Sequence, residues 1–203
     1  MRKVKKAVLS ICESRKIAMP DEINPHGTLF GGVMMSWIDK VGYMCAQNYA
    51  EWKKTVTANI DQISFYNPVY SGDHVVLKAY VAHVGKSSMQ IDVHVTKEDP
   101  ILKNKILVAD AYMTFVSVNQ AGKGRLVPEL ILETDADFER NAKAQVRIQM
   151  RKELILKLAA INPKSKYPQF KNVDSPIKLL KMDIIKKLKH HTRIEKIINY
   201  VLN

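Results

Sequence analysis

The sequence predicts an α+β fold in which one long helix is enclosed by a curved antiparallel sheet. Three observations predict it. Residues 28–49 place apolar side chains around most of a helical circumference, the pattern of a buried helix. Segments 54–67, 74–84, 87–97 and 105–118 each carry a strand pattern of ten residues or more. The turn signals between these strands are short, as in hairpins, so the strands run antiparallel.

The elements follow in order. Residues 7–18 form a strand of mixed pattern that Met19-Pro20-Asp21 ends. Asn24-Pro25 and Gly27 make a turn before the helix. Within the helix Phe30, Met34, Trp37, Val41 and Cys45 form one stripe, and Leu29, Val33, Ile38 and Met44 widen it. Val56, Ala58 and Ile60 alternate in the next strand until the phase slips at Asp61-Gln62, which predicts a bulge. Val75, Leu77, Ala79 and Val81 share a face of segment 74–84, and Met89, Ile91, Val93 and Val95 share one in 87–97. Segment 105–118 is apolar on both faces, as a central strand is. Ten-residue strands can curl around one helix, and whatever side of that helix the sheet leaves open must meet a further partner, most simply a second copy of the chain.

Length and charge divide the chain. A domain over residues 1–130 and a basic helical extension over 131–203 fit the 203 residues. The net charge of +12 falls wholly in residues 140–203, because residues 1–139 hold 16 Lys/Arg against 16 Asp/Glu. The extension reads as helical over 129–160, a proline-punctuated linker at Pro163, Pro168 and Pro176, and a basic amphipathic helix over 177–202. No run of 18 apolar residues predicts a transmembrane helix, and the basic start is followed by too short an apolar patch for a signal peptide. Cys12 and Cys45 form no disulfide framework, so a reducing cytoplasm is the expected compartment.

Two features sit oddly in a buried helix. Gly31-Gly32 occupy its first turn, where each glycine costs about 1 kcal/mol relative to alanine. Asp39 occupies its middle, where an unpaired carboxylate is expensive. With the turn before them, these residues read Asp21-x-x-Asn24-x-x-Gly27-x-x-x-Gly31-Gly32, with Asp39 seven positions later. Val84-Gly85-Lys86-Ser87-Ser88 and Phe115-Val116-Ser117-Val118 follow at matching places, then Gly122-Lys123-Gly124-Arg125-Leu126-Val127-Pro128. The set resembles the acyl-CoA thioesterases of the hot-dog fold, of the single-domain acyl-CoA hydrolase type, over about residues 8–130. The resemblance implies a helix wrapped by a sheet and dimers with a continuous sheet, often assembled as trimers of dimers. It implies hydrolysis of acyl-CoA to free acid and CoA without a metal or other cofactor.

The residues fit that chemistry physically. Asp39 is the one acid inside the helix, and burial is expected to raise its pKa and suit it to act as base or nucleophile. The Gly32 amide lies among the unpaired donors at the positive end of the helix, where it can polarise a thioester carbonyl that glycine allows to approach. Gly32 and Asp39 are about 10 Å apart along a helix, at ~1.5 Å per residue, too far for one carbonyl to touch both. Antiparallel helices across a dimer axis would bring Asp39 of one chain to Gly31-Gly32 and Asn24 of the other. The resemblance implies the same arrangement, with Asn24 orienting water or the thioester and with Gly27 and His26 beside the site. It assigns CoA binding to Lys86, Ser87, Ser88, Lys123 and Arg125, whose cations and hydroxyls suit phosphate oxygens.

Other readings stand beside these. Asp39 can be a structural acid paired with a cation, Gly31-Gly32 can serve close helix–sheet packing, and His26 can be a polar loop residue. Cys45 belongs to the core stripe and Ser36 lacks a nucleophile-elbow context. Neither cysteines nor His190-His191 have metal-ligand spacing. An acyl-CoA-binding protein without chemistry would bind without turnover, and a hydratase would need a catalytic His with an acidic partner. The basic extension can pack on the core, touch an anionic membrane surface through residues 140–203, or bind nucleic acid, for which no clear helix-turn-helix is present.

Overall fold

The computed structural model describes residues 2–102 and 104–161. The expected linker at 163–176 and the basic helix at 177–202 lie outside them. Chain packing divides the protein into two units, Met1–Ile155 and Leu156–Asn203. The first unit therefore extends past the boundary at residue 130 that charge and resemblance suggest.

It begins with strand β1 (Val4–Lys6), a 3-10 turn (Ala7–Ser10) and strand β2 (Cys12–Ile17). A second 3-10 turn (Pro20–Glu22) leads into helix α1 (Gly31–Ala50). Strands β3 (Thr55–Phe65), β4 (His74–Val84), β5 (Ser88–Glu98) and β6 (Lys105–Ser117) follow, close to the bounds read from alternation. Strand β7 (Glu129–Ile131) and helix α2 (Asp135–Ile161) complete the described chain.

The main sheet is antiparallel in the order β2-β4-β5-β6-β3. Consecutive β3 and β4 are not neighbours, and β3 lies at the free edge beyond β6. The predicted slip at Asp61 is present as a register shift between Ile60 and Gln62, and a second shift separates Thr57 from Asn59. The short β1 pairs in parallel with β7, a contact that three-residue strands give no periodicity to reveal.

One face of the sheet encloses α1. The alternating sets of β4 and β5, Val75, Leu77, Ala79, Val81 and Met89, Ile91, Val93, Val95, are each at most 2% exposed. They meet Met34, Trp37, Ile38, Val41, Cys45 and Tyr49 of the helix in one core. Close approach falls at Gly42, where a Cβ would stand 3.0 Å from Phe115 Cε2, and not at Gly31-Gly32. The helix is not covered all round: Met35, Tyr43 and Met44 are exposed on the side the sheet does not reach.

The other face of the sheet meets α2. Thr134 and Asp137 form a reciprocal capping box, each backbone N–H donating to the other's side chain at 3.0 and 3.2 Å. Farther along, Arg147 donates to the buried Asp92 at 2.6 Å and lies over the Tyr112 ring, while Arg140 lies over Tyr80. Arg151 donates to both oxygens of Asp61. Three cations of the basic extension are thus bound to the core rather than offered to solvent.

Candidate active site

The loop before α1 is built around Asn24. Its side-chain oxygen accepts from the His26 and Thr28 amides at 2.9 and 3.3 Å, and its amide group donates to Thr28 Oγ1 at 3.0 Å. Gly27 supplies the left-handed φ of 80° that this tight turn needs. Leu29 N then donates to Val69 O, and Phe30 N to Glu22 O, which fixes where the helix starts. Asn24 is thus already engaged in shaping the loop, whatever it does for a substrate. His26 is exposed on the turn, with only its backbone held.

At the helix start Phe30 O accepts from Val33 and Met34, leaving the Gly31 and Gly32 amides without a protein acceptor among the described residues. Both glycines are exposed. A Cβ at Gly31 would meet nothing within 4 Å, and one at Gly32 only Phe30 Cδ1 at 3.7 Å. Helix–sheet packing therefore gives no reason for either glycine. Beside them opens a cleft of about 280 Å³, lined by Thr28, Gly31 and Met34 on one side and Phe65, Asn67 and Val108 on the other.

Asp39 lies on the open side of α1, half-buried rather than enclosed. Its Oδ1 accepts from Thr57 Oγ1 of β3 at 2.8 Å. No Lys or Arg pairs with it among the described residues, so the structural-acid reading lacks its cation. Alternation did not single out Thr57, the residue that donates to Asp39. The alternation of Val56, Ala58 and Ile60 set it on the other face of the strand, and the register shift that follows it had no signal in the sequence. Ser36 is exposed on the same open side. Cys45 is fully buried, its Sγ set against Ser10 O at 3.0 Å, and burial pushes its thiol pKa far up, as suits a core residue.

The segments expected to hold CoA come together at the opposite end of α1. Gly124 lies against Ser87, Ser117 N donates to Ser87 O, and Val127 N donates to Lys86 O. A Cβ at Gly85 would stand 2.6 Å from Ser88 Oγ. Lys86 and Lys123 point to solvent. Arg125 is partly committed: it donates to Ala50 O at 3.2 Å and lies 4.5 Å over the Trp52 ring, closing the negative end of the helix. Arg2, which sequence reading passed over, ties the two loops by donating to Gly85 O and Val127 O. These loops and the Gly31-Gly32 amides stand at opposite ends of a 20-residue helix, about 28 Å apart at ~1.5 Å per residue, and Asp39 lies between them.

Comparison with known proteins bears on this geometry. Residues 26–103 match the model of the thioesterase superfamily. An acyl-CoA thioester hydrolase of Bacillus subtilis is 35% identical over 146 residues, 70% of this chain and 84% of that protein. The acyl-CoA hydrolase of Staphylococcus aureus, solved with butyryl-CoA and CoA, superposes with a TM-score of 0.73 at 30% identity, over 78% of this chain and 96% of that one. Variants of the same hydrolase have been solved with an asparagine, an aspartate or a threonine replaced by alanine. A hexameric thioesterase of Yersinia pestis superposes at 0.53 with 34% identity, over 57% of this chain and 93% of that one. Helix, sheet, loop and matched relatives agree, and the chain belongs to the hot-dog-fold acyl-CoA thioester hydrolases of the thioesterase superfamily.

Proposed function

We propose that this protein hydrolyses acyl-CoA thioesters at sites shared between two antiparallel α1 helices of a homodimer, built further into a trimer of dimers. The observation that carries the reading is the pairing of two unfilled features on one open helix side. Among the described residues Asp39 has a hydroxyl partner but no cation, and the Gly31-Gly32 amides have no acceptor and room for an acyl carbonyl. The two are about 10 Å apart in one chain, so the partner's helix must supply one of them.

In this mechanism the thioester carbonyl sits against the Gly32 amide of one protomer, which stabilises the negative charge as the carbonyl carbon becomes tetrahedral. Asp39 of the other protomer takes a proton from water as it attacks, or attacks directly to give an anhydride that water then opens. Thr57 aims the carboxylate by donating to Oδ1. The C–S bond breaks and the thiolate leaves as CoA, taking up a proton. The loops at Lys86-Ser87-Ser88 and Lys123-Gly124-Arg125 lie about 16 Å beyond Asp39 along its own helix, at ~1.5 Å per residue, placed to hold the phosphates at the far end of CoA. The cleft beside Gly31 and Met34 takes the start of the acyl chain. The hexameric Yersinia relative and the ligand-bound Staphylococcus relative support this reading.

Turnover of an acyl-CoA panel, followed by thiol release, tests it. Asp39→Ala is expected to lower kcat by roughly 10²- to 10⁴-fold while the protein still binds CoA. Full turnover by Asp39→Ala would end the mechanism, and tight binding without turnover by the unaltered protein would make it a sensor instead.

A further inference from the structure

The pair Arg151–Asp61 lies on the face of the sheet opposite α1, while Thr57 of the same strand donates to Asp39 on the α1 face. Strand alternation has a period of two, so a one-residue slip turns every later side chain to the other face. Thr57 pairs with Phe115 and faces α1, where its hydroxyl reaches Asp39. The shift that follows leaves Ala58 without a register partner and pairs Asn59 with Thr114. Asn59 now lies on the α2 side, as does Asp61 at the second shift. Two donors hold that displaced stretch. Asn59 Nδ2 donates to Asp61 Oδ1 at 2.9 Å, Arg151 donates to Asp61 at 2.7 and 2.9 Å, and the same Arg151 nitrogen reaches Thr114 Oγ1 at 2.8 Å. Thr114 in turn donates to Gln90 Oε1 at 2.9 Å. One guanidinium from α2 thus binds β3 to β6 at the slip, and through Thr114 to β5.

Within one protomer β3 is the edge strand, so β6 and the contacts from α2 are what set its register before a partner adds to it. We propose that Arg151 and Asp61 are positioning residues for thioester hydrolysis: they lock the double slip of β3 so that Thr57 faces Asp39. This rests on the role given above to Asp39 and Thr57. It gives the described part of the extension a duty in the reaction beyond covering the sheet.

The test uses the full chain and reads kcat and KM separately. Arg151→Met and Asp61→Asn are expected to lower kcat about ten-fold with KM within about two-fold, because a small misplacement at the reacting group costs rate rather than binding. Arg151→Lys, which keeps the charge but not the fork, should retain an intermediate kcat. Arg140→Met removes a contact of α2 with β4 instead and should leave kcat unchanged. The deciding measurement is Arg151→Met in a Thr57→Val background, where the Arg151 effect should vanish. An undiminished loss there would overturn the proposal, as would wild-type kcat in Arg151→Met and Asp61→Asn. If Asp39→Ala is inactive while those variants turn over normally, only this inference fails. If Asp39→Ala is active, the underlying mechanism fails first.

Discussion

Gly32 gives up helix preference at a place where the protomer has no steric need of glycine. Alanine there adds up to about 1 kcal/mol of intrinsic helix stability. Its Cβ would meet only Phe30 Cδ1 at an ordinary 3.7 Å. Gly32→Ala is therefore expected to melt at or above the wild-type temperature while losing at least about ten-fold in turnover, through blocked approach to the oxyanion donor. Circular dichroism melts beside thiol-release rates measure both, and a variant as active as the wild type would remove the Gly32 amide from the mechanism. Asp39 shows what a single residue discloses in a sequence and what it withholds. Its charge within an apolar stripe was visible; its partner was not, because Thr57 is eighteen positions away on another element and meets it only once β3 folds over α1. The same applies to Arg2, whose acceptors Gly85 O and Val127 O lie 83 and 125 positions along the chain.

Among the elements, α1 and β3 to β6 were legible because burial on one face imposes a strict period. The slip at Asp61 was legible for the same reason, as a break in that period. β1 and β7 were too short to carry one. The apolar circumference of α1 overstated its burial, since the exposed Met35, Tyr43 and Met44 look in sequence like any core residues. Helix α2 shows a different limit: its inward face holds arginines, so its pattern does not separate a docked helix from a solvated one. Its start is a measurable case. Burial pushes the Asp137 carboxyl up, but hydrogen bonds from Thr134, the Glu133 amide and Arg140 outweigh this and hold its pKa below the usual carboxylate range. A depressed folded pKa stabilises above the unfolded value of about 3.9 and ceases to as pH falls below it. Urea midpoints of wild type and Asp137→Asn should differ near neutrality, by about 1 kcal/mol for a cap of this kind, and converge in acid. A constant gap at all pH values would show that the carboxylate charge is not what caps α2.

For the whole molecule, the exposed side of α1 and the free edge of β3 lie together. Ile60 of β3 is 47% exposed on the same side as Met35 and Met44. In the proposed dimer these surfaces would complete the site and remove the edge, so assembly and activity should fall together. Ile60→Lys is expected to shift light-scattering mass toward the monomer and to reduce turnover in proportion. A monomer with full turnover would show that each chain holds a complete site.

The pairing of β3 with β6 also sets a clock during synthesis. Thr55 finds its partner at Ser117, so about 60 residues must be made in between. At roughly 5–20 residues per second this is ~3–12 s in which α1 and β3 have left the ribosome without the strand that closes over them. Their apolar faces spend that interval in contact with solvent or with chaperones. Slow codons placed between β3 and β6 should therefore reduce the yield of native protein more than the same codons placed after Ser117.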